Sequence, residues 1–584
     1  LTDYESHLQA DFGRYPLGEI VGRTAERVGG RIAMRAWTGE SYREIAYPDL
    51  AGRIEAVAKW LVDYGIKPGD RVAVLGENRP EWGMAYLGIV AAGGTVVPVD
   101  ALMPLPGIRH ILVDSEARLL FATSRFLKDM AETEELPSLE HRILIGGEPV
   151  DGAIGFNEIL SAGSESSAVL PEVSLSDRAA ILYTSGTTGH SKGVVLTHNN
   201  IASNIAACCR VFPLGSDDTF LSVLPIHHAF ESTAGFLLPL YIGCSITYAR
   251  SLKSADIVAD IKNTGVTLMV GVPLLYEKMH EGIVRNIKKK GWATRQVVGL
   301  LTTVSAIGDK VGLELGALLF RSLREKAGLG TVRFFISGGG PLNPATALFF
   351  HRLGLRLLQG YGLTETSPVS HVNPPWDARF ETVGPPIPGV EHRILEPNAQ
   401  GIGEVLLRGE NIFLGYYRSD EATQEVMTPD GWFRTGDLGK IHPDGHLQIM
   451  GRKKNMIVTG GGKNVYPEEV EHYLNASRFI AESLVLGAPR SSGYGEDVVA
   501  LIHPEYEQID LHFEELGRGK PTDADVEALL KEELRQTQAS LADYKRVRRY
   551  RILEEEFQKT STRKIKRFLY KGTMVDVDSS SRTK

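Results

Sequence analysis

Short apolar runs alternate along this chain with longer segments of helical spacing. The run DRVAVL, Asp70–Leu75, is brief and valine-rich, the pattern of a strand covered on both faces. In the next segment Trp82, Tyr86, Ile89 and Val90 fall on one helical face, with Asn78 placed to cap that helix and Pro80 in its first turn. GGTVVPVD then returns as a strand. The same alternation recurs at 256–272 (DIVADIKNTGVTLMVGV) and at 331–359. In the latter, VRFFIS predicts a strand, Asn343 and Pro344 start a helix, and LRLLQ is the next strand. Strands alternating with helices predict the α/β class, with mostly parallel sheets covered by helices.

Near residue 450 the texture changes. GRKKNMIVTGGGKNVYP is rich in glycine and lysine. PEEVEHYLN then reads as a helix, ESLVLGAP as a strand and ADVEALLKEELRQTQASL as an amphipathic helix. The expected organisation is a large N-terminal domain over 1–450 and a small C-terminal α+β domain over 451–584, the latter within the usual domain range.

The densest chemistry lies in AAILYTSGTTGHSKGVVLTH, residues 179–198. Ala179–Leu182 and Val194–Leu196 predict two strands. Between them Gly186, Gly189 and Gly193 let backbone N–H groups converge, Thr184, Ser185, Thr187, Thr188 and Ser191 add hydroxyls, and Lys192 adds a compact positive charge. Such a loop suits a polyphosphate. A Walker-type loop would need G-x-x-x-x-G-K-[ST] opening into a helix. Here GTTGHSKG puts Ser191 at the second glycine and Gly193 at the Ser/Thr, and a β-branched run follows. Without a ligand, the same composition is also that of an ordinary turn.

Four further motifs offer matching groups. SGGGPL carries Gly338, Gly339 and Gly340, where missing side chains would admit a flat ring against the backbone. QGYGLTETSP places Tyr361, able to stack on an adenine, and Gly362 beside Thr364, able to donate a hydrogen bond to a phosphate, and Glu365, an oxygen ligand for Mg2+. GWFRTGDLG presents Asp437 for ribose hydroxyls, and GRKKN supplies Arg452 for ribose or phosphate. Taken singly, each also reads as a surface turn or a solvated basic patch. Together, and in this order, with DRVAVLGENRPEWGMAYLGIVAAGG before them, they resemble the adenylate-forming superfamily of acyl-CoA synthetases, amino-acid adenylation domains and beetle luciferases. The resemblance covers nearly the whole chain.

That resemblance implies ATP and coenzyme A as co-substrates and Mg2+ held by Glu365 and Thr184. It implies a mobile C-terminal domain turning about Lys454, in the hinge segment 452–455. KTSTRKIKR, Lys559–Arg567, is similar to the long-chain variant T-x-T-x-K-x-K-R, which makes Lys564 the catalytic lysine, with Lys559 and Lys566 as neighbouring alternatives. LPIHHAFE resembles the LPLxHxxE segment of fatty acyl-CoA synthetases and assigns His228 to the acyl site, alongside Thr364, Glu365 and Lys564 as catalytic groups. The implied activity is AMP-forming ligation of a medium-to-long-chain fatty acid to coenzyme A. Other acids, a carrier-protein acceptor, an amino-acid substrate met by Glu231, and a nucleotide sensor without catalysis stay open. Val311, Leu315, Leu318, Leu319 and Leu323 share one helical face, which suits core packing first and an acyl tunnel or membrane surface next.

Bulk properties narrow the partners. Net charge is −8, from 64 basic and 72 acidic residues among 584, which gives no footprint for nucleic acid. Cys208, Cys209 and Cys244 show no metal spacing and fit a reducing, cytoplasmic setting. The opening LTDYESHLQADFGRY is acidic and polar, unlike a signal peptide, although a trimmed start is compatible with it. No apolar run reaches transmembrane length, so any membrane contact would be peripheral. The oligomeric state is open, a homodimer included.

Overall fold

The computed structural model describes residues 12–131, 136–184, 191–310, 313–490, 495–560 and 564–572. The chain divides into two compact units. The first comprises Leu1–His392, Leu407–Phe433 and Pro443–Leu447, and the second Arg393–Leu406, Arg434–His442 and Gln448–Lys584.

Two eight-stranded sheets build the first unit. One runs from Val369–Val372 through Arg356–Gly362, Phe334–Ser337, Leu268–Gly271, Thr219–Ser222, Ser245–Tyr248 and Ile32–Trp37 to Tyr42–Ala46. Its interior pairs are parallel and its two end pairs antiparallel. The other runs from Gly415–Tyr416 through Lys192–Thr197, Arg178–Thr184, Thr95–Val99, Arg71–Leu75, Leu119–Thr123 and His141–Gly146 to Ala153–Gly155. It is parallel from Arg178–Thr184 onward and antiparallel before it. Val72–Leu75 are fully buried, as a parallel strand covered on both faces must be. The α/β expectation is borne out.

The helix Pro80–Ala91 is buried nearly all round, beyond the single stripe its spacing suggests. Close approach is the reason. A Cβ on Gly83 would stand 2.8 Å from Phe236, and one on Gly88 would stand 2.4 Å from Val57. Neighbouring elements therefore touch this helix on opposite sides. Asn78 does not cap it; the cap position is Arg79, with no side-chain bond. Asn78 instead donates to Ser222 Oγ and to the Leu224 carbonyl and accepts from Ile226 N–H. It thereby pins the segment that follows the strand Thr219–Ser222. Asn343 does cap its helix, accepting from Ala345 N–H at 2.9 Å before Pro344–Arg352.

The apolar face expected over Val311–Leu323 is not one helix. Trp292–Lys310 ends before it, Val311 lies outside the described residues, and the rest forms two short helices, Gly316–Leu319 and Arg321–Lys326. A Cβ on Gly316 would lie 2.4 Å from the Arg352 carbonyl, so the chain docks there by backbone and turns. Leu315, Leu319 and Leu323 are half-buried, while Leu318 points outward at 76% exposure.

The second unit holds most of a four-stranded sheet in the order Val390–Leu395, Gly403–Gly409, Phe433–Ile441, Leu447–Arg452, together with a three-stranded sheet. In the latter, Ile480–Pro489 pairs antiparallel with Glu496–Pro504, which pairs parallel with Arg549–Ile552. Side chains alternate faces along these strands. Val485, Val498, Ala500 and Ile502 meet helix residues Val470, Leu474, Ile509 and Leu530. Leu484, Val499 and Leu501 meet Phe557, Ile565 and Tyr570 from the chain's last described segments. Cys208, Cys209 and Cys244 are buried thiols. No helix among the described residues is long and apolar enough to cross a membrane.

Candidate active site

The predicted hairpin forms, with Thr184 opposite Lys192 where its two strands meet the loop. Ser185, Gly186, Thr187, Thr188 and Gly189 lie outside the described residues. Lys192 projects over the Tyr416 ring, its ammonium 5.2 Å from the centroid. Tyr416 donates its phenolic proton to Glu365 Oε1 at 2.9 Å. A cation, an aromatic ring and a carboxylate are thus linked in one chain that starts at the first residue of the strand Lys192–Thr197.

The turn carrying Thr364 and Glu365 is held from several sides. Leu363 N–H donates to Thr366 Oγ1, and Asn204 and Asn411 both donate to the Thr366 carbonyl. The Glu365 carbonyl itself accepts from Phe413 N–H. Tyr361 and Gly362 close the strand Arg356–Gly362 just before this turn. Glu365 fits a hard divalent cation. Tyr416 takes one carboxylate oxygen, and an oxygen donor is the ligand type Mg2+ selects; the Thr184 hydroxyl is the second of that type. Mg2+ bound there would neutralise phosphate charge.

In the SGGG segment, a Cβ on Gly338 would stand 2.7 Å from the Phe230 ring, and Gly339 adopts φ +79°. Glycine is required at both. Gly340 meets only Pro273, at ordinary contact distance. The ring that packs against this backbone is therefore one of the protein's own. It brings the segment 227–231, with His228, against the glycine turn.

Glu231 is fully buried, and neither carboxylate oxygen has a well-formed hydrogen bond. Burial pushes its pKa up to about 8, while the adjacent Ser222 hydroxyl pulls the other way without completing an aligned bond. A carboxyl kept protonated near neutrality offers no charge to a substrate ammonium, which weighs against an amino acid.

The second unit carries its own constellation. Asp437, buried on Phe433–Ile441, pairs with Arg452 of the neighbouring strand, Nε to Oδ1 2.7 Å. Lys454 sits in the turn Lys453–Asn455 that follows, its pKa lowered by crowding and then by Arg452. Lys564 is solvent-accessible as a residue, yet its ammonium end is closely surrounded. That burial lowers its pKa first, Arg452 lowers it further, and Asp437 opposes. Lys559 is committed elsewhere, 2.7 Å from Glu482 and 3.3 Å from Glu556.

The segment around Lys564 is clamped rather than packed. Thr560 N–H donates to the Lys564 carbonyl, and Lys564 N–H donates to Thr560 Oγ1. Arg567 bonds the Val485 carbonyl and Glu471, and Ile565 packs on the sheet.

Sequence reading missed Tyr416, Asn204 and Asn411. Tyr416 lies in FLGYYRS, where nothing but an aromatic pair marks it. Its role depends on a strand that joins the hairpin edge from far along the chain, Tyr416 opposite Val194.

The chain belongs to the AMP-binding enzyme family, whose profile matches residues 21–417. Among its relatives is the long-chain-fatty-acid–CoA ligase FadD15 of Mycobacterium tuberculosis, 32% identical over 574 residues, covering 92% of this chain and 91% of that one. Long chain acyl-CoA synthetase 7, peroxisomal, of Arabidopsis thaliana is 28% identical over 509 residues, covering 81% and 70%. Among solved structures, ATP-bound MatB from Rhodopseudomonas palustris superposes with a TM-score of 0.75 at 26% identity, covering 96% of this chain and 99% of that one.

Proposed function

We propose that this enzyme ligates a medium-to-long-chain fatty acid to coenzyme A, splitting ATP to AMP and pyrophosphate through an acyl-adenylate. The observation that carries the reading is the placement of Lys564's ammonium within electrostatic reach of Asp437 and Arg452. The names of the relatives support the acid class and the thiol acceptor.

In the first half-reaction a carboxylate oxygen attacks the α-phosphorus and pyrophosphate leaves. Both reactants are anions. Two like charges at about 4 Å repel by about 4 kcal/mol at an effective dielectric of 20. Lys564 offsets that repulsion between the acid and the α-phosphate, while Asp437 and Arg452 fix the ribose beside it. Lys192 and the loop it closes hold the leaving pyrophosphate. In the second half-reaction the thiol sulfur attacks the acyl carbonyl, the thiol proton goes to solvent, and AMP leaves. The segment 452–455, with Lys454, is the hinge that clears Lys564 from the thiol's path.

Thioester formation across acids from acetate to stearate, with benzoate included, tests the substrate class. The optimum falls among the medium-to-long chains. An optimum at acetate or benzoate contradicts it.

Contact with a bilayer surface belongs to the same proposal. On the helix Trp292–Lys310, Trp292, Val297, Leu300 and Ile307 are each more than half exposed along one side. Arg285 and Lys288–Lys290, just before it, are exposed and basic. An apolar face bordered by cations fits an anionic lipid surface, the reservoir of a fatty-acid substrate. Leu300→Glu lowers co-sedimentation with anionic vesicles, and vesicles of zwitterionic lipid bind less. Equal recovery of both proteins on both vesicles contradicts this.

A further inference from the structure

We propose that Asp100, His227 and His228 form a binding site for a transition-metal cation of borderline softness, with Zn2+ as the probe. One donor atom from each of the three lies within 4.8 Å of the others. The cluster sits where two sheets bring strand ends together. Asp100 follows the strand Thr95–Val99, and the histidines follow Thr219–Ser222.

Both sides are preset. Asp100 Oδ1 accepts from Leu102 N–H at 2.8 Å. The histidine turn is pinned by Asn78 through Leu224 and Ile226, and by His228 N–H to the Pro225 carbonyl. The two imidazoles lie with centroids 4.3 Å apart and planes 39° apart, so they fan round a common point instead of stacking flat.

The telling distance is between His227 Nε2 and Asp100 Oδ1, 3.4 Å. His227 is 7% exposed, and Nε2 has no well-formed hydrogen bond. A charge-assisted N–H···O bond would close to about 2.7–2.9 Å. A tetrahedral Zn2+ with bonds of about 2.0–2.1 Å sets its ligand atoms roughly 3.3–3.4 Å apart. The His227–Asp100 pair therefore stands at the edge length of a metal tetrahedron. Two imidazoles with one carboxylate favour Zn2+, Co2+ or Cu2+ over Mg2+ and Ca2+, which take oxygen. Three protein ligands leave a fourth position for water.

The site stands on these residues alone. Its consequence rests on the proposed function: His228 borders the acyl site, so Zn2+ inhibits acid activation by holding that imidazole.

The test is calorimetric Zn2+ titration of the full chain in excess Mg2+, with Co2+ substitution read by its visible spectrum, for the parent protein, His227→Ala and Asp100→Asn. Expected are one bound ion, tetrahedral Co2+ bands, and an affinity loss of roughly tenfold or more in both variants. Asp100→Asn keeps the side-chain shape, so its loss is not a folding artefact. Unchanged affinity in both variants, or no binding in the parent, overturns the site. In activity assays at buffered free Zn2+, the parent is inhibited and His227→Ala resists. Binding that both variants weaken, without inhibition of the parent, keeps the site and removes His228 from the acyl pocket.

Discussion

Lys192 and Lys564 present the same ammonium in opposite settings. Lys192 stands at the end of a strand in an eight-stranded sheet, over an aromatic ring that is itself bonded to Glu365. Lys564 stands on a short segment fastened to a three-stranded sheet by Ile565 and Arg567, its own side chain left to reach Asp437 and Arg452. One lysine is built into a scaffold. The other is delivered by an anchored strap. A phosphate that must be gripped throughout suits the first arrangement. A charge needed in one half-reaction and obstructive in the next suits the second.

The sharpest way to break this contrast is Lys564→Ala. Acid-dependent ATP–pyrophosphate exchange falls by roughly 10²–10³, the scale of losing one transition-state charge partner. Thioester formation from supplied acyl-AMP stays near that of the parent. Lys559→Ala shows no such split, since Lys559 serves Glu482. Equal loss in both half-reactions contradicts the strap. The lowered pKa also fixes a sign. As pH rises through it, the ammonium is lost, so exchange declines below the ordinary lysine range on the alkaline side. In Lys564→Arg that limb moves upward.

Lys454→Pro comes next. Fixing φ at the proposed hinge slows thioester formation by about tenfold or more and leaves exchange near the parent rate, measured as separate half-reactions. Smaller effects separate the parts of the gripping site. Tyr416→Phe keeps the ring under Lys192 and releases Glu365, raising the KM for MgATP a few-fold. Tyr416→Ala removes both contacts and raises it by about tenfold, a loss of about 1.4 kcal/mol. Identical KM values for the two contradict the linkage.

A separate effect concerns stability. The Glu231 carboxyl is neutral in the fold up to about pH 8 but ionises near 4.5 when unfolded. Its contribution is therefore full below pH 4.5 and is lost as pH rises toward 8. Glu231→Gln flattens that slope, so its Tm exceeds the parent's at pH 9 by more than at pH 6. Parallel Tm–pH curves contradict the assignment.

Much of the fold was legible because its strands are buried on both faces and read as unbroken apolar runs. Asn343 was legible as a cap because its partner is two residues away. Asn78 was not, since its partners lie 144 to 148 residues along the chain. The Val311–Leu323 face failed because spacing does not register that Gly316 docks backbone to backbone. Lys192 and Glu365 in the first unit, and Asp437, Arg452 and Lys564 in the second, carry their chemistry in their side chains and could be named from motifs. Tyr416 acts by lying between two of them, a property of the sheet and not of its neighbours in sequence.

The central claim is that this chain activates an organic acid at the α-phosphorus of ATP. Labelled pyrophosphate, incubated with the enzyme, ATP, Mg2+ and a long-chain fatty acid but no coenzyme A, tests it most directly. Label is expected to enter ATP only when the acid is present. Absence of exchange with every acid, or thioester synthesis releasing ADP and phosphate instead, would contradict it.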